Sequence, residues 1–189
     1  MQPILLAAGR STRFGADKLL HPLADGTPLA LAAARTLAAA LPGGLAVVNG
    51  NSAELAHLLE AAGLAVSVCP HAHEGMGASL AWGVARTRAA DGWLIALADM
   101  PFIVPSTVRA VAAAVREPLS IAAPICGGRR GHPVAFGRGH GAALASLTGD
   151  TGARAVLQAH RDSLLLLPCD DPGVLQDIDL PEQLPILAR

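Results

Sequence analysis

The chain has no tyrosine, and aromatic side chains make up only 3% of its 189 residues. A series of aromatic platforms for stacking bases is therefore excluded, and with it the common single-stranded nucleic-acid modules. Charge is scarce as well, at 15% of residues and a formal net charge of -1, so there is no general basic footprint for nucleic acid or an anionic membrane. Three cysteines, Cys69, Cys126 and Cys169, stand far apart with no Cys-x-x-Cys. Neither a disulfide framework nor a zinc site is indicated, and reduced, mostly buried thiols are expected. No apolar stretch reaches the ~20 residues that span a bilayer. The Ala- and Leu-rich segment 28–41 carries Arg35, and segment 93–104 is interrupted by Asp99. No basic residues precede the amino-terminal apolar run, which is unlike a secretory signal. A cytoplasmic protein without nucleic-acid or membrane partners is expected. Also missing is any Ser-His-Asp or Cys-His constellation, and His71 and His73 have metal-like spacing but no evident third ligand.

What the chain does have is 52% hydrophobic residues, ample for a large core built mainly from Leu, Ala and Val. Its length suits one domain spanning residues 1–189, and no repeat, linker or charge block divides it. Short apolar runs alternate with longer helix-like segments, which predicts an α/β fold, Rossmann-like and doubly wound, with a mostly parallel sheet and helices on both faces. Strands are expected near 2–7, 45–49, 65–69, 93–98, 120–123 and 164–167, with 93–98 central. Thr27-Pro28 reads as the cap and first position of a helix ending before Pro42-Gly43-Gly44. Asn51 with Glu54 reads as a capping box for a helix stopped by Gly63. Further helices are expected over 78–90, 105–115, 142–147 and 152–159, and the Gly- and Arg-rich stretch 126–136 reads as a small hairpin insertion.

The first strand breaks into a loop with Gly9, Arg10, Arg13, Gly15 and Lys18. Glycines let the backbone approach an anion, loop N–H groups donate to it, and the cations supply countercharge for a triphosphate. Five residues separate Gly9 from Gly15 and Lys18 follows three later, so both the dinucleotide and the Walker spacings fail. Lys18 and Arg13 would pair with the β- and γ-phosphates, or else form an ordinary solvated pair. Asp99 ends the strand expected at the centre, where open parallel sheets bind ligands, and suits magnesium, though it also suits a turn before Pro101. Asp177 and Asp179 share one face of an extended segment, and Asp179 also suits a helix cap before Pro181-Glu182. Gly77 and Ser79 open a helix toward a ribose or base, or simply form a glycine turn with a serine cap. Arg130 and His132, in Arg129-Arg130-Gly131-His132-Pro133, concentrate donors for an acceptor's phosphate, with a basic structural hairpin as the alternative. Arg154 follows Gly149-Asp150-Thr151, where Asp150 or Thr151 reads as a helix cap; it either contacts an anion or pairs with a carboxylate.

Six segments in order carry a family resemblance: Leu6-Ala7-Ala8-Gly9 through Lys18, Gly75-Met76-Gly77-Ala78-Ser79, Ala98-Asp99-Met100-Pro101, Arg130-Gly131-His132-Pro133-Val134, Gly149-Asp150-Thr151-Gly152-Ala153-Arg154 and Asp177-Ile178-Asp179. The chain thereby resembles the nucleotidyltransferases related to the molybdenum cofactor cytidylyl- and guanylyltransferases. That resemblance implies a nucleotide-diphospho-sugar transferase-like fold, a nucleotide site that includes Ala7, Ala8, Gly9, Arg10 and Gly15, and a second metal carboxylate at Asp177 or Asp179 beside Asp99. It further implies CTP and molybdopterin as substrates, Mg2+ as cofactor, pyrophosphate as product and transient contact with a molybdoenzyme. Leu-Ala-Ala-Gly resembles the cytidylyl members, whereas guanylyl members have Leu-Ala-Gly-Gly. Phe14 stands where Met is usual and Leu180 where Thr is common, and neither change removes a charge. A guanylyltransferase using GTP, a sugar-phosphate nucleotidyltransferase and a non-catalytic molybdopterin carrier are the alternatives.

Overall fold

The computed structural model describes residues 1–9 and 18–180. Its eight strands are β1 (Gln2–Ala7), β2 (Leu45–Val48), β3 (Ala65–Val68), β4 (Gly92–Leu97), β5 (Ile121–Cys126), β6 (Arg129–Arg130), β7 (Val134–Gly137) and β8 (Leu164–Pro168). They form one sheet in the order β3-β2-β1-β4-β7-β5-β6, with β8 against β5. Only β7 and β6 run antiparallel to their neighbours, so the sheet is mostly parallel. In β1, Ile4 and Leu6 belong to one apolar layer and Leu5 and Ala7 to the other. A strand buried on both faces has no polar alternation, which is why it reads as a continuous apolar run.

Helices α1 (Leu29–Ala40), α2 (Ala53–Ala61) and α4 (Pro105–Ala114) cover one face, burying Leu29, Leu37, Leu59 and Val111. Helices α3 (Met76–Arg86), α5 (Gly141–Ala145) and α6 (Arg154–Ala159) cover the other, with Leu80, Val84, Leu144 and Val156. The doubly wound expectation is thereby met. Strand β1 leads outward to β2 and β3, and the chain then crosses to β4 on the other side of β1. The carboxyl ends of β1 and β4 thus flank the point where winding reverses, the place where such sheets open a crevice.

The differences from expectation lie at helix starts and in segment 126–136. Helix α1 begins at Leu29, one residue later than Thr27-Pro28 implies, and no side chain caps it. The Leu29 N–H instead donates to the His21 carbonyl at 3.0 Å, while Thr27 N–H goes to Asp25 Oδ1 at 2.9 Å. Ser52, not Asn51, caps α2, its Oγ accepting from Leu55 N–H at 3.1 Å. The Asn51 N–H is already taken by Asn49 Oδ1. Neither Asp150 nor Thr151 supplies a side-chain cap to α6, which starts at Arg154 behind Ala153. Stretch 126–136 holds the expected hairpin in β5 and β6 but also the start of β7, a buried strand inserted between β4 and β5. Its residues Val134, Ala135 and Phe136 are too few to announce a core strand before tertiary pairing supplies their burial.

Candidate active site

Lys18 opens a 3₁₀ turn (Lys18–Leu20) anchored by the buried Leu19. Asp99 follows β4 in a turn where Met100 N–H returns to the Leu97 carbonyl, and Pro101 prevents the strand from continuing. Asp179 arrives from the carboxyl-terminal segment, which is tied to the same turn because Ile178 N–H donates to the Asp99 carbonyl at 3.0 Å. Three elements distant in sequence therefore meet. Lys18 Nζ lies 3.0 Å from Asp99 Oδ2 and 3.0 Å from Asp179 Oδ1. Burial alone pulls the Lys18 ammonium down, but the charges and hydrogen bonds of Asp99 and Asp179 outweigh it and hold its pKa above the usual 10.5.

Lys18 and Asp99 border a cleft of about 620 Å³ that is also lined by Ala7, Ala8, Gly9 and Ser79 among others. Of the expected nucleotide-site residues, Ala7, Ala8, Gly9 and Ser79 face one space, as do Lys18 and Asp99. Ser79 lies within the first turn of α3, where its Oγ donates back to the Gly75 carbonyl at 3.4 Å. Gly77 is not among the residues lining the cleft: its N–H donates to the Gly149 carbonyl at 2.7 Å, and a Cβ there would collide with the Thr148 carbonyl. Arg10, Arg13 and Gly15 lie outside the described residues.

Asp177 and Asp179, equivalent in sequence, separate in space. Asp179 pairs with Lys18, whereas Asp177 is exposed and its charge acts on His132. Arg130 and Arg154 are exposed and do not border the cleft. Strand β5 runs in the direction of β4, so the hairpin bearing Arg130 projects from the same sheet edge as Asp99. His132 stands at that edge where β7 begins, its Nδ1 buried without a partner among the described residues. Burial, with help from the Arg130 charge and against that of Asp177, pushes His132 down to about 4. Its imidazole is neutral at pH 7.

Two cleft residues had no such role from the sequence. His73 shows only a metal-like spacing with His71 that lacks a third ligand and Asp150 reads as a cap, yet both line the cleft. No local pattern marks them, because each reaches the site only through the approach of segments 72–79 and 148–150.

The donor set suits a hard divalent cation. Asp99 Oδ1 is buried without a partner among the described residues, while its other oxygen and Asp179 converge on a single positive charge. Magnesium-type ions accept one or two carboxylates and fill the rest of the shell with water and phosphate oxygens.

A mostly parallel sheet with a cleft at its winding switch, and a lysine on that cleft paired with two carboxylates, suit a nucleotidyltransferase. Residues 3–164 match the MobA-like NTP transferase domain, and the chain belongs to that family. It is 30% identical to purine catabolism protein PucB of Bacillus subtilis, over 98% of this chain and 95% of that protein. It is 29% identical to nicotine blue oxidoreductase of Paenarthrobacter nicotinovorans, over 96% and 93%. Among solved structures, Rv0371c of Mycobacterium tuberculosis superimposes with a TM-score of 0.78 and 29% identity, over 96% of this chain and 93% of that one. A complex of Rv0371c with manganese gives 0.69 and 28%, over 89% and 87%.

Proposed function

We propose that this enzyme transfers CMP from CTP to molybdopterin, using Mg2+ and releasing pyrophosphate in the cytoplasm. A phosphate oxygen of the acceptor forms a bond to the α-phosphorus of CTP as the bond from that phosphorus to the bridging α–β oxygen breaks. Such a phosphate has a second pKa near 6, so it is largely dianionic at pH 7 and needs no strong base. The observation that carries the reading is Lys18, which lines the cleft, held at 3.0 Å from both Asp99 and Asp179.

In this reading Lys18, with Arg13, faces the β- and γ-phosphates and offsets the charge that builds on departing pyrophosphate. Asp99 and Asp179 would hold Mg2+, which supplies electrostatic stabilisation of phosphate oxygens and alignment of the groups. The manganese complex of Rv0371c supports a divalent ion in this family. Ala7, Ala8, Gly9, Arg10, Gly15 and Ser79 bind the nucleotide, with Gly77 fixing the wall behind Ser79. Arg130, His132 and Arg154 receive the acceptor along the sheet edge, and a molybdoenzyme takes the product by transient contact. The Ala-Ala-Gly form of the first loop favours CTP over GTP.

Pyrophosphate release measured with CTP and GTP, with and without molybdopterin and with sugar 1-phosphates as alternative acceptors, tests this directly. CTP turnover dependent on molybdopterin and Mg2+ is expected. Turnover with GTP alone or with a sugar 1-phosphate reassigns the substrate, and CTP binding without turnover shows a carrier.

A further inference from the structure

One carboxylate in the cleft has no task in that scheme. Asp150 lines the same space as Lys18 and Asp99 but makes no ion pair among the described residues, whereas Asp99 and Asp179 share Lys18. Its side chain is exposed and lies against Gly75. Gly75, at φ +122°, has no side chain, and a Cβ there would run into Asp150 Oδ1 and the Gly149 backbone. Gly77 grips the same segment through its N–H. Asp150 thus lies over the first turn of α3, and it borders the cleft together with Met76 and Ser79.

Two features decide what such a group can recognise. Leu19, next to Lys18, belongs to the apolar layer on one sheet face, and Ala72 and Leu80, flanking the Gly75 turn, belong to the other. Asp150 therefore approaches the cleft from the side opposite the phosphate-directed lysine. An uncompensated carboxylate repels phosphates and, when ionised, only accepts hydrogen bonds. The part of the substrate beside it must be uncharged and rich in donors. A nucleotide whose phosphates lie toward Lys18 has its uncharged sugar diol away from that anionic end.

We propose that Asp150, held against Gly75, accepts a hydrogen bond from a ribose hydroxyl of the nucleoside triphosphate and makes the enzyme select ribonucleotides over deoxyribonucleotides. This rests on the nucleotidyltransfer reading above and names the group that reads the sugar. A hydrogen bond to a charged acceptor corresponds to about a 10- to 100-fold difference in affinity.

The test is calorimetric binding of CTP, 2′-deoxy-CTP and 3′-deoxy-CTP with Mg2+ to the wild type, Asp150→Ala and Asp150→Asn, each checked for an unchanged melting temperature. The wild type is expected to bind CTP about 10- to 100-fold more tightly than at least one deoxy analogue. Asp150→Ala should weaken CTP to the level of that analogue while leaving the analogue's own affinity unaltered. Gly75→Ala, which displaces Asp150 without removing its charge, should also narrow the gap. Equal binding of all three nucleotides by the wild type overturns the proposal, as does a preference that survives Asp150→Ala. CTP affinity left unchanged by Asp150→Ala overturns it too. Failure of any triphosphate to bind removes the nucleotidyltransfer reading itself, a result distinct from binding without sugar discrimination.

Discussion

Lys18 shows how a single side chain can be legible in type and opaque in circumstance. A cation three residues after a loop glycine points to phosphate chemistry, but nothing local says that two carboxylates, 81 and 161 positions away, will hold it. Lys18→Met should lower pyrophosphate release by about 100-fold or more, judged by the loss of a donor aimed at developing charge. Lys18→Arg should recover part of it. The raised pKa of Lys18 carries a stability consequence. The contribution is complete below the unfolded value of 10.5 and disappears as pH rises through the higher folded value. Urea midpoints of wild type and Lys18→Met should therefore differ at pH 8 and draw together as pH rises past 10.5 through the folded value. His132 acts in the opposite direction. Its folded pKa near 4 lies below the ordinary 6.5, so stability present above pH 6.5 is lost as pH falls toward 4. The loss amounts to at most about 3 kcal/mol at pH 4 and below. His132→Gln should flatten this acid limb in urea titrations at pH 7, 5.5 and 4; an unchanged slope would place the titration elsewhere.

At the scale of elements, the site is assembled by ties between segments that have no contact in sequence. Asp171 is 7% exposed and accepts from Val104 N–H, Thr107 Oγ1 and Gly173 N–H. It fixes the start of α4 to the 3₁₀ turn (Pro172–Leu175) that leads to Asp179. Removing it leaves three donors unmatched, two of them, at Thr107 and Gly173, buried. Asp171→Ala should cost about 3 kcal/mol, read from denaturant midpoints, with Asp171→Asn recovering part because its carbonyl still accepts. Gly77→Ala makes a complementary case. Its Cβ would press on the Thr148 and Gly149 carbonyls, so segment 148–150 must move. The expected outcome is weaker nucleotide binding with a smaller change in melting temperature, measured side by side on one preparation.

For the whole molecule, the proposed reaction puts nucleotide and divalent ion in one cleft, so their effects on stability should be coupled. At 100 times its Kd, CTP with Mg2+ should stabilise the fold by about 2.7 kcal/mol. For a chain of this size that corresponds to a rise of roughly 5 to 10 °C in melting temperature. A chelator should abolish most of the rise, and Asp99→Asn should show little of it even with Mg2+ in excess. A full shift in Asp99→Asn would mean that the carboxylate has no part in holding the ion–nucleotide complex.

The amino-acid order by itself determined the alternation of apolar runs with helices, and hence the doubly wound sheet, because burial on both faces leaves β1 and β4 continuously hydrophobic. It also determined the chemical types at the site, since Lys18 and Asp99 stand at chain breaks where glycine and proline stop regular structure. Helix starts were less legible at α1, where a carbonyl from His21 satisfies an N–H that a local cap would otherwise take. Tertiary structure alone decided that Asp179 rather than Asp177 meets Lys18, that β7 is a core strand, and that Asp150 faces the cleft. Each of those outcomes depends on contacts between segments far apart along the chain, and periodicity reports only which side of its own element a residue occupies.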